Sequence, residues 1–177
     1  MHIKRLAAPK TWVIHRKEHK WTTRQTPGPH SLSNSIPLND VIKTFLGLAS
    51  TTREVKKILN SGKILIDGKV RKDHKFPVGI MDVIDIPDLK KTYLLILNKR
   101  GSFSLKQYKN SNEKIAKIIN KTYLKNGKLK LNIYDGKNFI VTEKDYNVND
   151  SVVLNLKENK ISKHVKLEKG ALIYYGR

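Results

Sequence analysis

The sequence contains no cysteine, and acidic residues are scarce: 15 Asp plus Glu stand against 36 Lys plus Arg in 177 residues. Without a thiol there is no disulfide framework, no thiolate zinc site and no cysteine nucleophile. That composition is compatible with a reducing cytosol. No apolar run approaches the roughly 20 residues of a membrane span, and the N-terminal stretch MHIKRLAAPK lacks the apolar core of a signal peptide. A soluble, cytoplasmic protein is expected. Neither a Gly-rich phosphate loop of the form G-x-x-x-x-G-K-[ST] nor a serine nucleophile elbow is present, and the few carboxylates form no obvious pair for acid–base work. As an enzyme the sequence is silent, and it implies no cofactor and no metal.

What the chain has instead is positive charge. The formal net charge is +21 at a pI near 10.1. A compact fold carrying that much like charge repels itself unless a polyanion compensates it, and nucleic acid is the commonest such partner. At 38% hydrophobic residues, the chain can still build one moderate core or two small ones.

Residues 1–37 read as a basic extended arm. Pro9, Pro27, Pro29 and Pro37 leave room for at most a short helix near residues 10–20. Apolar residues there are few and show no sustained period, so the arm is expected to be ordered by its partner rather than to fold alone. From Leu38 the pattern changes. Leu38, Val41, Ile42, Phe45 and Leu46 have helical spacing. Thr51 and Glu54 have the spacing of a capping box that opens a second helix carrying Val55, Ile58 and Leu59, and Ser61-Gly62 closes it. Ile64–Ile66 and Val70 flank an Asp67-Gly68-Lys69 hairpin turn. Phe76–Gly79 reads as a loop and Val83–Ile86 as a third strand.

Residues 91–168 read as a second, β-rich domain of short strands in a small barrel or sandwich, with one helix near 111–121 presenting Ile115, Ile118 and Ile119. The expected fold class is therefore α+β.

Charge distribution selects the candidate binding residues. The second helix offers Arg53, Lys56 and Lys57, and the hairpin and its exit offer Lys63, Lys69, Arg71, Lys72, His74 and Lys75. Residues 41–75 carry nine basic and three acidic side chains, whereas residues 76–89 carry three Asp and no Lys or Arg. One basic edge with an acidic far end is the pattern of a phosphate-binding face, because Lys and Arg release counterions condensed on a nucleic-acid backbone. The arm adds Lys4, Arg5, Lys10, Arg16, Lys17, Lys20, Arg24 and His30, and Lys99-Arg100 forms a second small basic turn. Trp12 and Trp21 are either packing anchors or platforms for stacked bases. His15-Arg16-Lys17-Glu18-His19 matches H-x-x-E-H formally, but Arg16, Lys17 and Lys20 would repel a dication and the segment lacks the helix that aims both imidazoles. The remaining lysines, spread along the strands of residues 90–177, describe a surface embedded in polyanion on several sides.

Several stretches carry a resemblance. His2-Ile3-Lys4-Arg5-Leu6-Ala7-Ala8-Pro9-Lys10 followed by Trp12, Gly28-Pro29-His30 before Ile36-Pro37-Leu38, and Ile66-Asp67-Gly68-Lys69-Val70-Arg71-Lys72-Asp73 continuing to Phe76-Pro77, Gly79 and Met81-Asp82-Val83 occur in order along the chain. Together they resemble the archaeal and eukaryotic small-subunit ribosomal protein four of the "e" type. The resemblance implies a basic arm, an S-four-type RNA-binding domain over 38–90, a central β-rich domain, and the start of a KOW-type barrel over 169–177, of which Gly170–Gly176 would be the opening segment and the rest is missing. The start close to His2 makes an archaeal source the expectation. By this resemblance the protein is a structural constituent of the small ribosomal subunit, with ribosomal RNA and neighbouring ribosomal proteins as partners. Two rivals differ in class. An S-four domain appended to an RNA-modifying enzyme would need a larger catalytic domain with an essential Asp, and residues 92–177 offer neither. An RNA-binding protein acting off the ribosome would form a free pool in a sedimented lysate.

Overall fold

The computed structural model describes residues 2–142 and 145–173, and these fall into two compact units, residues 2–111 and residues 112–173. Each unit is antiparallel β structure, and among the described residues α-helix is confined to the first, the second having one short 3-10 turn at Lys125–Gly127.

In the first unit, β1 (His2–Lys4) pairs with β2 (Trp21–Thr23), Ile3 facing Thr22. The chain between them forms a short 3-10 turn (Arg5–Ala7) and further turns, with no α-helix over residues 10–20. This Pro-interrupted stretch is nevertheless held. The guanidinium of Arg16 donates to the carbonyls of Arg5, Ala8 and Pro9 at 3.1, 2.8 and 2.7 Å. Trp12 is 2% exposed and its Nε1 donates to the Ser35 carbonyl at 2.8 Å. Ala8, Trp12 and Ile36 belong to the same core as Val55, Leu59, Ile66, Ile84 and Phe103. The arm is thus part of the unit and not a tail awaiting a partner. A local count of apolar residues misses this, because three or four anchors that reach a distant core suffice to order a loop.

Next, β3 (Ser35–Pro37) leads into α1 (Leu38–Asp40) and a π-helical stretch (Val41–Phe45), so the expected helix stripe exists but in a wider winding. Then α2 (Thr52–Asn60) opens with the capping box: Thr51 Oγ1 accepts from the Glu54 amide at 3.3 Å, and Glu54 Oε2 accepts from the Thr51 amide at 3.3 Å. β4 (Leu65–Ile66) and β5 (Lys69–Val70) form the expected hairpin, with Asp67 at φ 51° and Gly68 at φ 73°. Two successive residues at positive φ are what a tight hairpin turn demands, and Asp-Gly supplies them at low cost. Residues 77–79, expected as loop, form β6 (Pro77–Gly79), which pairs with β3 across the arm. A proline at its first position hides such a strand from propensity rules. β7 (Val83–Ile86), β8 (Lys91–Leu97) and β9 (Phe103–Gln107) complete a sheet of order β5-β4-β7-β8-β9. Since β8 and β9 belong to this sheet, the unit runs on to Ser111 instead of ending near residue 90.

In the second unit the expected helix at 111–121 is instead a long strand, β10 (Glu113–Tyr123). Ile115, Ile118 and Ile119 imitate helical spacing, but the side chains turned inward are Lys114, Ala116 and Ile118 at period two, while Ile115 and Ile119 are half exposed. Lys114 hides the alternation, since a lysine rarely faces a core; here its ammonium meets buried Asp135 at 3.3 Å. β11 (Leu129–Ile133), β12 (Asn138–Val141), β13 (Ser151–Asn155) and β14 (Lys160–Val165) flank it in the order β12-β11-β10-β13-β14, β13 pairing with residues 113–117 of β10 and β11 with residues 118–123, around one core that holds Ala116, Ile118, Leu131 and Leu154. Of the Gly170–Gly176 segment, the part to Ile173 carries no helix or strand, and Tyr174, Tyr175 and Gly176 lie outside the described residues.

Candidate nucleic-acid interface

The basic face of the first unit is built on α2 and the segment that follows β5. Val55 and Leu59 of α2 point into the core, which turns Arg53, Lys56, Lys57 and Asn60 outward. After β5 the chain is pinned from several sides. The Arg71 amide donates to the Ile64 carbonyl at 3.3 Å, and the carbonyls of His74 and Phe76 accept from the Asn39 and Leu38 amides at 2.8 and 2.9 Å. The Lys75 carbonyl accepts from the Thr26 amide at 3.0 Å. Lys72 is therefore presented from a fixed backbone, and the Arg71 guanidinium lies over the Phe76 ring at 4.3 Å.

The carboxylates of this unit are occupied elsewhere. Glu54 accepts from the backbone of Ser50, a bond that holds its carboxyl below the usual carboxylate range together with those from Thr51. Asp73 accepts from the Lys75 amide and Thr26, Asp67 from the Val83 amide, and Asp85 from Thr92. Asp82 is buried, accepting from the Gly79 amide at 2.7 Å and pairing with the His30 ring at 3.1 Å. Of the cations on the face, Lys63 pairs with Asp88 at 2.7 Å. Among the described residues, Arg53, Lys56, Lys57, Lys69, Lys72 and Lys75 have no carboxylate within ion-pair distance. Their mutual repulsion is felt by His74: burial first, then the ammonium groups of Lys56 and Lys75, lower its pKa despite Asp73 beside it. Of the acidic end expected at 76–89, Asp82 and Asp85 are thus structural in their chemistry, and apart from Lys63, which Asp88 pairs, the basic edge is left uncompensated.

Beside this face, between the β1–β2 hairpin and the first turn of α2, lies an open cleft of about 340 Å³. His2, Arg5, Trp21, Lys43, His74 and Lys75 line it, with Asn39 and Asp40 also in its wall. Burial pushes the Asp40 carboxyl above the ordinary range, although Asn39 and Thr22 donate to it and Lys43 and Arg5 lie near. Trp21 is 46% exposed; Lys20 sits 5.4 Å from its ring and His2 5.2 Å.

The candidate residues therefore divide. Arg53, Lys56 and Lys57 lie together on α2, His74 lies near enough to Lys56 and Lys75 to feel their charge, Lys69, Arg71 and Lys72 follow one another on β5 and its exit, and Arg5 and Trp21 line the cleft with His74 and Lys75. Lys4, Lys10, Lys17, Lys20 and Arg24 are exposed on the arm, and Lys99-Arg100 sit at the β8–β9 turn, on the side of the sheet away from β5. Three candidates are corrected. Trp12 and His30 are buried and have no surface to offer a base or a phosphate, and the Arg16 guanidinium is engaged by three carbonyls. The H-x-x-E-H stretch is a turn and not a helix, and its Glu18 carboxylate lies 3.6 Å from the Arg5 guanidinium. Lys43 and His2 were not singled out by the sequence. Lys43 is the only charged residue between Asp40 and Arg53 and stands opposite the apolar stripe of its helix, a signal that was there to be used.

Three family models match along the chain, with boundaries that differ from those of the two compact units. The RS4NT (NUC023) domain matches residues 1–33, the S4 domain residues 36–84 and the Ribosomal family S4e residues 89–161. A protein of Methanosphaera stadtmanae called small ribosomal subunit protein eS4 is 48% identical over 173 residues, which cover 97% of this chain and 71% of that one. The protein of the same name from Archaeoglobus fulgidus is 44% identical, over 98% of this chain and 73% of its own. A crystal structure of the 30S ribosomal protein S4e from Thermoplasma acidophilum is similar at a TM-score of 0.67 and 30% identity, covering 77% of this chain and 71% of that chain. Among the described residues, no helix is long and apolar enough to cross a membrane.

Proposed function

The chain belongs to the S4e family of ribosomal proteins, and on that premise we propose that it is a structural constituent of the small ribosomal subunit, binding ribosomal RNA and neighbouring ribosomal proteins in the cytoplasm. The observation that carries the RNA contact is the set of six cations, Arg53, Lys56, Lys57, Lys69, Lys72 and Lys75, held on a rigid scaffold whose carboxylates all point into other bonds. The mechanism is electrostatic docking. The face is preformed, so little conformational entropy is lost on binding, and phosphate contacts set position while RNA shape supplies selectivity. No residue of the face is arranged to transfer a proton or attack a bond; its chemistry is attraction. The exposed arm lysines and the Lys99-Arg100 turn extend the contact to other RNA segments.

The experiment is binding of the purified chain to an in vitro transcript of its small-subunit rRNA over a range of salt. The affinity falls with a log–log slope of roughly 0.7–0.9 per phosphate neutralised. Replacing Arg53, Lys56, Lys69 and Lys72 by Ala lowers the slope by about one per side chain and leaves the unfolding midpoint near the wild-type value. Affinity independent of salt refutes electrostatic docking, and sedimentation of the protein apart from small subunits in a lysate refutes the ribosomal assignment.

A further inference from the structure

A flat field of lysines is enough to hold the phosphates of a duplex. The cleft beside it has features that such docking does not use. Its volume, about 340 Å³, lies within the range of sites that accept a small organic ligand, roughly 300–1,000 Å³. Its aromatic wall, Trp21, stays 46% exposed in a unit that buries its other tryptophan almost completely. The indole is held in place: β2 alternation directs Thr22 inward to Asp40 and Trp21 outward, and the Trp21 carbonyl accepts from Arg5 Nε at 3.3 Å. Lys43 and Lys75 flank the opening without a carboxylate in ion-pair distance, while Arg5 is committed to the His15 and Trp21 carbonyls and to Glu18. An aromatic face and two free ammonium groups around one small concavity match two parts of a nucleotide, the base and the phosphate.

We propose that this cleft receives a single unstacked nucleotide of the RNA, its base laid against Trp21 and its phosphate between Lys43 and Lys75. The inference rests on the RNA-binding function proposed above and adds a single-stranded element to it, so that the protein distinguishes a bulged or looped nucleotide from continuous duplex. The Ser50 and Thr51 amides that precede α2 are not offered to the phosphate, because Glu54 already takes them.

Trp21 supplies its own probe, since only one other tryptophan is present and it is buried. With the rRNA transcript, binding quenches the emission of the wild-type chain, whereas Trp21→Phe, which keeps only Trp12, shows no change. Trp21→Ala weakens affinity by about tenfold, the scale of one stacked base, with the salt slope unaltered. Trp21→Phe recovers most of that loss. Lys43→Ala and Lys75→Ala instead lower the salt slope, by about one each. Circular dichroism of every variant checks that the hairpin remains folded. Trp21→Ala binding as tightly as wild type, wild-type emission indifferent to RNA, or Trp21→Phe as weak as Trp21→Ala overturns the inference while wild-type binding retains its salt dependence. Loss of salt-dependent binding in the wild type itself overturns the proposed function and the inference together.

Discussion

Replacing Trp12 tests whether residues 1–37 are part of a folded unit before any RNA is present. The indole is 2% exposed and shares a core with Ile36, Val55, Leu59 and Phe103. Removal of a core Trp side chain costs about 3–5 kcal/mol through lost burial and the cavity left behind. Trp12 Nε1 also donates to the carbonyl of fully buried Ser35, and loss of a donor to such a group costs about 1–3 kcal/mol. The two effects overlap, so Trp12→Ala is expected to destabilise the first unit by about 4–6 kcal/mol, against a typical total of about 5–15 kcal/mol for a domain. Trp12→Phe keeps most of the apolar contact and isolates the hydrogen bond, for a loss of about 1–2 kcal/mol. Urea unfolding without RNA measures both. Both tryptophans lie in the first unit, so the emission of Trp21 reports that unit alone in the variants and far-UV circular dichroism follows the whole chain. If Trp12→Ala unfolds at the wild-type midpoint, the arm is not docked in the free protein, and its order comes from the RNA as its composition implies.

The same scaffold makes further predictions. Thr51→Ala removes the cap on α2 and costs about 1 kcal/mol, while the salt slope of RNA binding stays at its wild-type value. Gly79→Ala drives a methyl group into the ring of His30, which is buried and held by Asp82. Neither side can yield freely, so thermal unfolding registers a loss of about 1–3 kcal/mol; an unshifted transition refutes the close approach of arm and sheet. In the second unit, burial alone would raise the Asp150 pKa, but the Leu167 amide, the His164 ring and the Asn147 amide outweigh it and hold the value below the usual range. A lowered folded-state pKa means stability that is present above the ordinary carboxylate value and lost as pH falls through the lowered one. Asp150→Asn therefore flattens the acid limb of the stability profile, measured by urea unfolding at a series of pH values. Asp40 has the opposite sign: its raised pKa favours the fold below the ordinary value, and that contribution is lost as pH rises through the raised one.

Local rules reached the elements whose causes are local. The capping box at Thr51–Glu54, the Asp67-Gly68 turn and the Val83–Ile86 strand all appear where their residues place them. The β10 segment has the periodicity of a helix, because Ile115, Ile118 and Ile119 fit a helical period while the inward residue that would reveal the strand is a lysine paired with Asp135. β6 was missed because Pro77 opens it and its partner, β3, lies some forty residues upstream. The α2 and hairpin cations of the interface could be taken from charge alone. Which of the arm residues join them could not, since Arg5, Arg16, Trp12, Trp21 and His30 are equally plausible in composition and end in different environments.

By itself, then, the sequence determined the excess of positive charge that points to a polyanionic partner, because a net charge of +21 is a sum that no folding can change. It determined the family too, through motifs spaced along the whole chain. Only the tertiary structure decided which cations are free to meet that partner. Freedom depends on where each carboxylate and carbonyl ends up, and those distances are set by contacts between residues far apart in the chain. Trp12 and Trp21, nine positions apart, show the difference: one is sealed into the core by a bond to Ser35, the other stands open at the edge of a cationic cleft.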